Sequence, residues 1–206
     1  MLPKVESWGD EIKSHRKLIA LSILFLISAI FLNNLAGNYV DRVGTVAVSD
    51  LILDHIPSIN LWFLLSYGFI LILAIFIFYP LFFNVKRLHV VISQFSLLVL
   101  IRSFFIILTH LKRPADAVVP VLPKIYTMLA FNNDLFFSGH TALPFLGFLI
   151  FRKQKIGIFF LIATIVMAIT VLLMHFHYSI DVFAALFITY GSFKIGEWLF
   201  KGINGY

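Results

Sequence analysis

Cysteine is absent from this chain of 206 residues, which removes disulfides, thiolate metal sites and cysteine nucleophiles together. Charge is almost as scarce: 13% of residues are charged against 61% hydrophobic ones, and mean hydropathy is +0.99. A chain of that balance is solvated mostly by lipid and reads as an integral membrane protein. Linkers rich in Pro, Ser or Gly are also missing, as are low-complexity segments, so one membrane-embedded domain over 1–206 is expected. The formal net charge of +6 raises the question of a polyanionic partner. No basic groove with interleaved aromatics occurs, however, and the Lys and Arg residues sit between apolar runs, so the charge serves topology and no nucleic-acid partner is expected.

What is present is long apolar runs. A spanning helix needs about 20 mostly apolar residues, and that ruler marks segments near 18–40, 61–83, 88–111, 136–151, 156–176 and 180–200. The expected fold is therefore all-α with six transmembrane helices. Lys4, Lys13, Arg16, Lys17, Lys86, Arg87, Arg152, Lys153, Lys155, Lys194 and Lys201 fall on one side, and only Arg42, Lys112, Arg113 and Lys124 on the other. The positive-inside rule then places both termini in the cytoplasm. No small-residue cleavage site follows the first run, which is expected to stay as an anchor.

Two polar islands interrupt the apolar pattern: Asn133 through Thr141, and His175 through Asp181. Ionisable groups at membrane depth are costly and point to function. Ser138 stands where a helix begins, and with Gly139 after it the backbone N–H groups of the first turn form an anion site. His140 can face that anion as donor or general acid. As structure alone, the same residues are a capped helix with an interfacial imidazole. His177 and Asp181 are four apart, so on one helical face the carboxylate would hold the ring N–H and leave an oriented imidazole. As structure alone they are a polar contact that pins a turn. His175 reads as an interfacial residue or minor helper. Arg102 lies inside the third run, about 13 Å below its outer end at 1.5 Å per residue, able to pair with Asp134, Asp50 or Asp181 or to reach a phosphate. Arg113 lies at the interface, where snorkelling and phosphate binding both suit it.

These residues resemble a family. Ser138-Gly139-His140, His177-x-x-x-Asp181 and Arg113-Pro114 look like the type 2 phosphatidic acid phosphatase superfamily, whose six-helix members work through a histidine phosphoenzyme without metal. Asp134-x-x-Phe137-Ser138-Gly139-His140-Thr141 and His177-Tyr178-Ser179-Ile180-Asp181-Val182-x-x-Ala185 are similar to the motifs of its sphingomyelin synthase branch, and Asp50 through Pro57 more weakly so. The chain departs from the phosphatase pattern where that pattern has two phosphate-clamping cations: Ile106 stands for the Lys and Val171 for the Arg. A monoester carries close to two charges and a diester one, so a site short of cations suits a diester. Against the synthase branch, Asn132-Asn133 replaces Cys-Gly and Leu186 replaces a Tyr.

The resemblance implies a lipid phosphatase/phosphotransferase-like core in which His177 is the nucleophile, Asp181 orients it and His140 is the general acid and base. Substrate would contact Ser138, Gly139, Thr141, Asp134, Arg102 and Arg113. The expected partners are a phospholipid and a lipid alcohol acceptor, with no cofactor and no metal. Lipid phosphate hydrolysis is the alternative within that chemistry. A metal-dependent hydrolase using His140, His177 and Asp181 ranks low because no HExxH pattern occurs. A non-catalytic lipid-binding protein is the third class, consistent with 24 Phe residues. Gly191 and Gly196 leave a homo-oligomer open. A bacterial inner membrane, with the site on its outer, periplasmic face, is the expected location.

Overall fold

The computed structural model describes residues 8–43, 46–119 and 135–201. Among these, all regular structure is helical except one isolated parallel bridge between Val46 and Leu111. We number the helices α1 (Trp8–Val43), α2 (Phe69–Phe83, preceded by a π turn at Leu64–Gly68), α3 (Leu88–Leu108), α4 (Gly139–Phe151), α5 (Lys155–Leu173) and α6 (Ser179–Leu199). Five of these segments are long and apolar enough to cross a membrane; α4, with 13 residues, is apolar but shorter.

The helix edges depart from the hydropathy runs for local reasons. α1 begins at Trp8 rather than near 18, because hydropathy measures lipid solubility and not helicity, and the polar stretch from Trp8 to Lys17 is itself helical. α3 stops at Leu108: Thr109 is extended, and Val46 then exchanges backbone bonds with His110 (3.1 Å) and Lys112 (3.0 Å). α4 starts at Gly139 and α5 ends at Leu173, since the residues beyond them form the corners described below.

α1 packs chiefly on α3. Its buried residues are Ser22, Ala29, Ala36, Gly37 and Val40, a seam of small side chains that lets two helices approach closely in lipid. Ser103 of α3 crosses that seam to Asn33 (3.3 Å). The main apolar core joins α2 through α6, from Leu65 and Phe76 to Met167, Val182 and Phe193. α4 and α5 meet where Gly147 faces Phe160: a Cβ there would lie 2.5 Å from the ring, so only glycine fits. Gly196 likewise accommodates the buried Gln94, which donates to the Phe193 carbonyl (3.3 Å), whereas Gly191 faces open space. Of the two glycines read as association sites, Gly196 is therefore occupied within the chain.

Candidate active site

The first wall of the site is the N-terminus of α4. Arg102, from α3, donates its Nε–H to the Phe137 carbonyl (2.9 Å), and the Ser138 amide donates to the Asp181 carbonyl (3.1 Å). Ser138 has the extended backbone of a helix cap, as its position predicts, but its hydroxyl makes no cap bond and instead accepts from the Thr141 hydroxyl (3.3 Å). Among the described residues the first-turn amides of α4 therefore have no side-chain cap, which is the arrangement that binds anions. The Arg102 guanidinium lies against the same turn, since a Cβ on Gly139 would sit 3.6 Å from its Nε.

The second wall is the corner between α5 and α6. Phe176 N–H bonds the Val171 carbonyl and His175 N–H the Leu172 carbonyl, each at 2.9 Å. This is the paired ending of a Schellman turn, with Phe176 and Val171 also sharing the apolar core. The left-handed position that glycine usually takes is held by His175, at φ 50°. The reversal delivers His177 two residues later, beside Asp181.

His177 Nδ1 lies 3.4 Å from Asp181 Oδ2, with both residues buried, and the same oxygen accepts the Tyr178 amide (3.0 Å). The spacing of four suggests one helical face, yet α6 begins only at Ser179, so His177 precedes the helix and the corner brings the two together. With Nδ1 turned to the carboxylate, Nε2 is the ring nitrogen on the side away from Asp181.

The two walls face each other. The His140 and His177 ring centroids are 6.0 Å apart and inclined at 60°. His140 is flanked by Phe69 at 4.5 Å and Phe176 at 5.6 Å, with His177, Arg102 and Arg113 as its ionisable neighbours. Its Nδ1 is buried with no hydrogen-bond partner among the described residues. Arg113 places its guanidinium carbon 4.5 Å above the Phe176 ring. Phe69 and Phe176 are site residues that sequence reasoning missed. Nothing distinguishes two phenylalanines among 24 in a chain of this composition, and the π turn that precedes Phe69 leaves no mark in the hydropathy.

The structure thus brings together His140, His177, Asp181, Ser138, Gly139, Thr141, Arg102 and Arg113. Asp134 lies outside the described residues. Asp50, weighed above as a partner of Arg102, bonds instead to Ser179 and its own turn. His175, expected at the interface, is buried, with Nδ1 2.6 Å from Asp116 Oδ2 but out of line for a hydrogen bond. It lines a cavity of about 540 Å³ with Asp50, Asp54, Asp116 and Tyr178, and that cavity lies beside the corner without including either catalytic candidate imidazole. Ile106 packs with Ala36 and Val40 against α1, and Val171 is fully buried in the main core. Among the described residues, no three of His, Cys, Asp or Glu are grouped as a metal ion would need.

Residues 132–198, which hold both histidine motifs, match the family model described as the PAP2 superfamily C-terminal. The match covers less than half of the chain and supports a likeness of this segment to the type 2 phosphatidic acid phosphatase superfamily. No curated protein and no solved structure matches the chain.

Proposed function

From that superfamily match we propose that the chain is a membrane phosphotransferase of the sphingomyelin synthase type, acting on a phospholipid head-group diester through a phosphohistidine. The observation that carries this reading is the pair of imidazoles facing each other at 6.0 Å, one held by Asp181 and the other beside the uncapped turn and guanidinium of α4. A phosphoryl group between them has a nucleophile on one side and a proton donor on the other, as in-line displacement requires.

His177 Nε2 attacks phosphorus, the bond from phosphorus to the diacylglycerol oxygen breaks, and that oxygen takes a proton from His140. In the second half His140 takes the proton of an incoming lipid alcohol or water, whose oxygen attacks phosphorus and releases His177. Asp181 stabilises the ring N–H throughout. The first-turn amides of α4 with Arg102 and Arg113 stabilise the transferring oxygens. Ile106 and Val171 are packed apolar residues, so neither place supplies a cation, and a site short of cations suits a diester over a monoester. The site opens on the outer, periplasmic face of a bacterial inner membrane, with both termini cytoplasmic and α4 completing six spans. It therefore takes its lipid from the outer leaflet.

The test is to incubate detergent-purified protein with head-group-labelled phospholipid, with and without ceramide or diacylglycerol, beside His177→Ala. Labelled lipid product that the variant does not make establishes transfer, and labelled phosphorylated head group in water establishes hydrolysis of the diester. Turnover confined to phosphatidic acid or polyprenyl pyrophosphate contradicts the diester reading, and lipid binding without any turnover contradicts catalysis.

A further inference from the structure

Asp50 belongs to neither histidine motif, stands 129 residues from its partner Ser179, and is nevertheless one of the most heavily bonded carboxylates of the molecule. It is 8% exposed, in the connection between α1 and α2. Its Oδ2 accepts from the amide and the hydroxyl of Ser179, at 2.7 and 2.8 Å. Its Oδ1 accepts from the amides of Ile52 and Leu53, at 2.9 and 3.1 Å. Four donors converge on one buried carboxylate, which fixes it in both position and charge.

Ser179 is the first residue of α6, and its amide is one of the orphan donors at that helix start. A fixed negative charge there is also favoured by the helix dipole. The neighbouring amide, Tyr178, is held by Asp181. Two consecutive peptide groups following His177 are therefore pinned by two carboxylates, one local and one remote. A third tether comes from the chain segments that follow α1 and α3: the Tyr178 hydroxyl donates to the Lys112 carbonyl (2.7 Å) and accepts the Val48 amide (3.2 Å). Leu53, which follows the Asp50 turn, packs with Tyr178 and Leu135. If the Ser179 amide were released, the peptide planes between His177 and Asp181 could rotate, and the Nδ1 to Oδ2 contact, already long at 3.4 Å, would be the first to open.

We infer that Asp50 is a positioning residue for the nucleophile: through Ser179 it holds the start of α6 so that Asp181 keeps its hold on Nδ1 of His177. The inference rests on the reading of His177 as the nucleophile, and it gives the weakly matched Asp50 to Pro57 stretch a task. Asp50 touches no substrate; its effect passes entirely through the corner.

The experiment compares Asp50→Asn, Asp50→Ala, Asp50→Glu and Ser179→Ala with the full-length protein in detergent, using protein labelled with ¹⁵N-histidine. The His177 ring signal is identified by its loss in His177→Ala. In wild type the ring is expected as the tautomer protonated on Nδ1. Asp50→Asn, which keeps the size but only one accepting oxygen, should shift that population and lower kcat between about ten- and a hundredfold with KM little changed. Asp50→Ala should do more, Ser179→Ala less because the amide remains, and Asp50→Glu should not rescue. An unchanged His177 ring signal in folded Asp50→Ala, whether or not its melting temperature drops, would overturn the inference. Wild-type protein with no turnover on any phospholipid would count against the proposed reaction, while the ring signal would still decide the role of Asp50.

Discussion

The two ends of the helix bundle are held in different ways. At the end that carries His177, polar side chains bind backbone far away in sequence: Asp50 to Ser179, Tyr178 to Lys112 and Val48, Arg102 to Phe137. Toward the opposite end two such bonds stand apart from each other, Gln94 to the Phe193 carbonyl and Trp8 to the Leu81 carbonyl, and ion pairs lie at the surface, Lys194 with Glu197 at 2.6 Å and Lys86 with Glu11 at 3.5 Å, each with one side chain more than two-fifths exposed. Buried bonds to backbone hold a main-chain geometry, whereas exposed pairs are screened and add little. A corner that must present a buried imidazole to a phosphoryl group needs the first kind. The ends thus differ in how closely such bonds cluster: several meet at the one corner that holds His177.

Substitutions sharpen the comparison in order of expected effect. Asp181→Asn keeps the shape of the corner but favours the wrong tautomer of His177, and should lower kcat by about 10³-fold, measured as head-group transfer. Arg102→Lys keeps the charge but loses the fork that reaches both the Phe137 carbonyl and the α4 turn, and should cost about 10- to 100-fold in the same assay. Tyr178→Phe leaves the Lys112 carbonyl and Val48 amide without their bonds and should destabilise by about 1–2 kcal/mol, read from thermal unfolding in detergent. Lys194→Ala, at the other end, should cost under about 0.5 kcal/mol and leave turnover unchanged. A large loss of activity from that last change would break the comparison.

Acid should act on the same end. Burial pushes the Asp50 carboxyl upward, but the bonds from Ser179, Leu53 and Ile52 outweigh it and hold the group below its ordinary value. A lowered native value means that the carboxylate contributes stability fully above the ordinary aspartate pKa of about 3.9. The contribution is lost as pH falls through the lower native value. Asp50→Asn should therefore flatten the acid side of the stability profile.

The sequence made some of this legible. Ser138 reads as a helix start because a cap residue precedes an apolar run, and the structure starts α4 one residue later. His177 and Asp181 read as a pair from their spacing, though a Schellman turn and not a shared helical face brings them together. Apolar runs mark the part of a helix that lipid can cover and not its polar extension, so the run near 18–40 lies inside α1, which starts at Trp8. Asp50 was illegible for another reason: its partner is set by tertiary folding, and no local pattern records a bond across 129 residues. The same holds for Phe69 and Phe176, whose importance comes from facing His140 and not from their type.

The central claim is that His177 carries the phosphoryl group between two half-reactions. Its most direct test is to mix the protein with phospholipid labelled at phosphorus, quench within the first turnover in alkali, and locate the label by mass spectrometry. The account predicts an alkali-stable, acid-labile phosphohistidine at His177, absent from His177→Ala and lost when an acceptor alcohol is added. Steady turnover with no label on His177, or undiminished activity in His177→Ala, would contradict it.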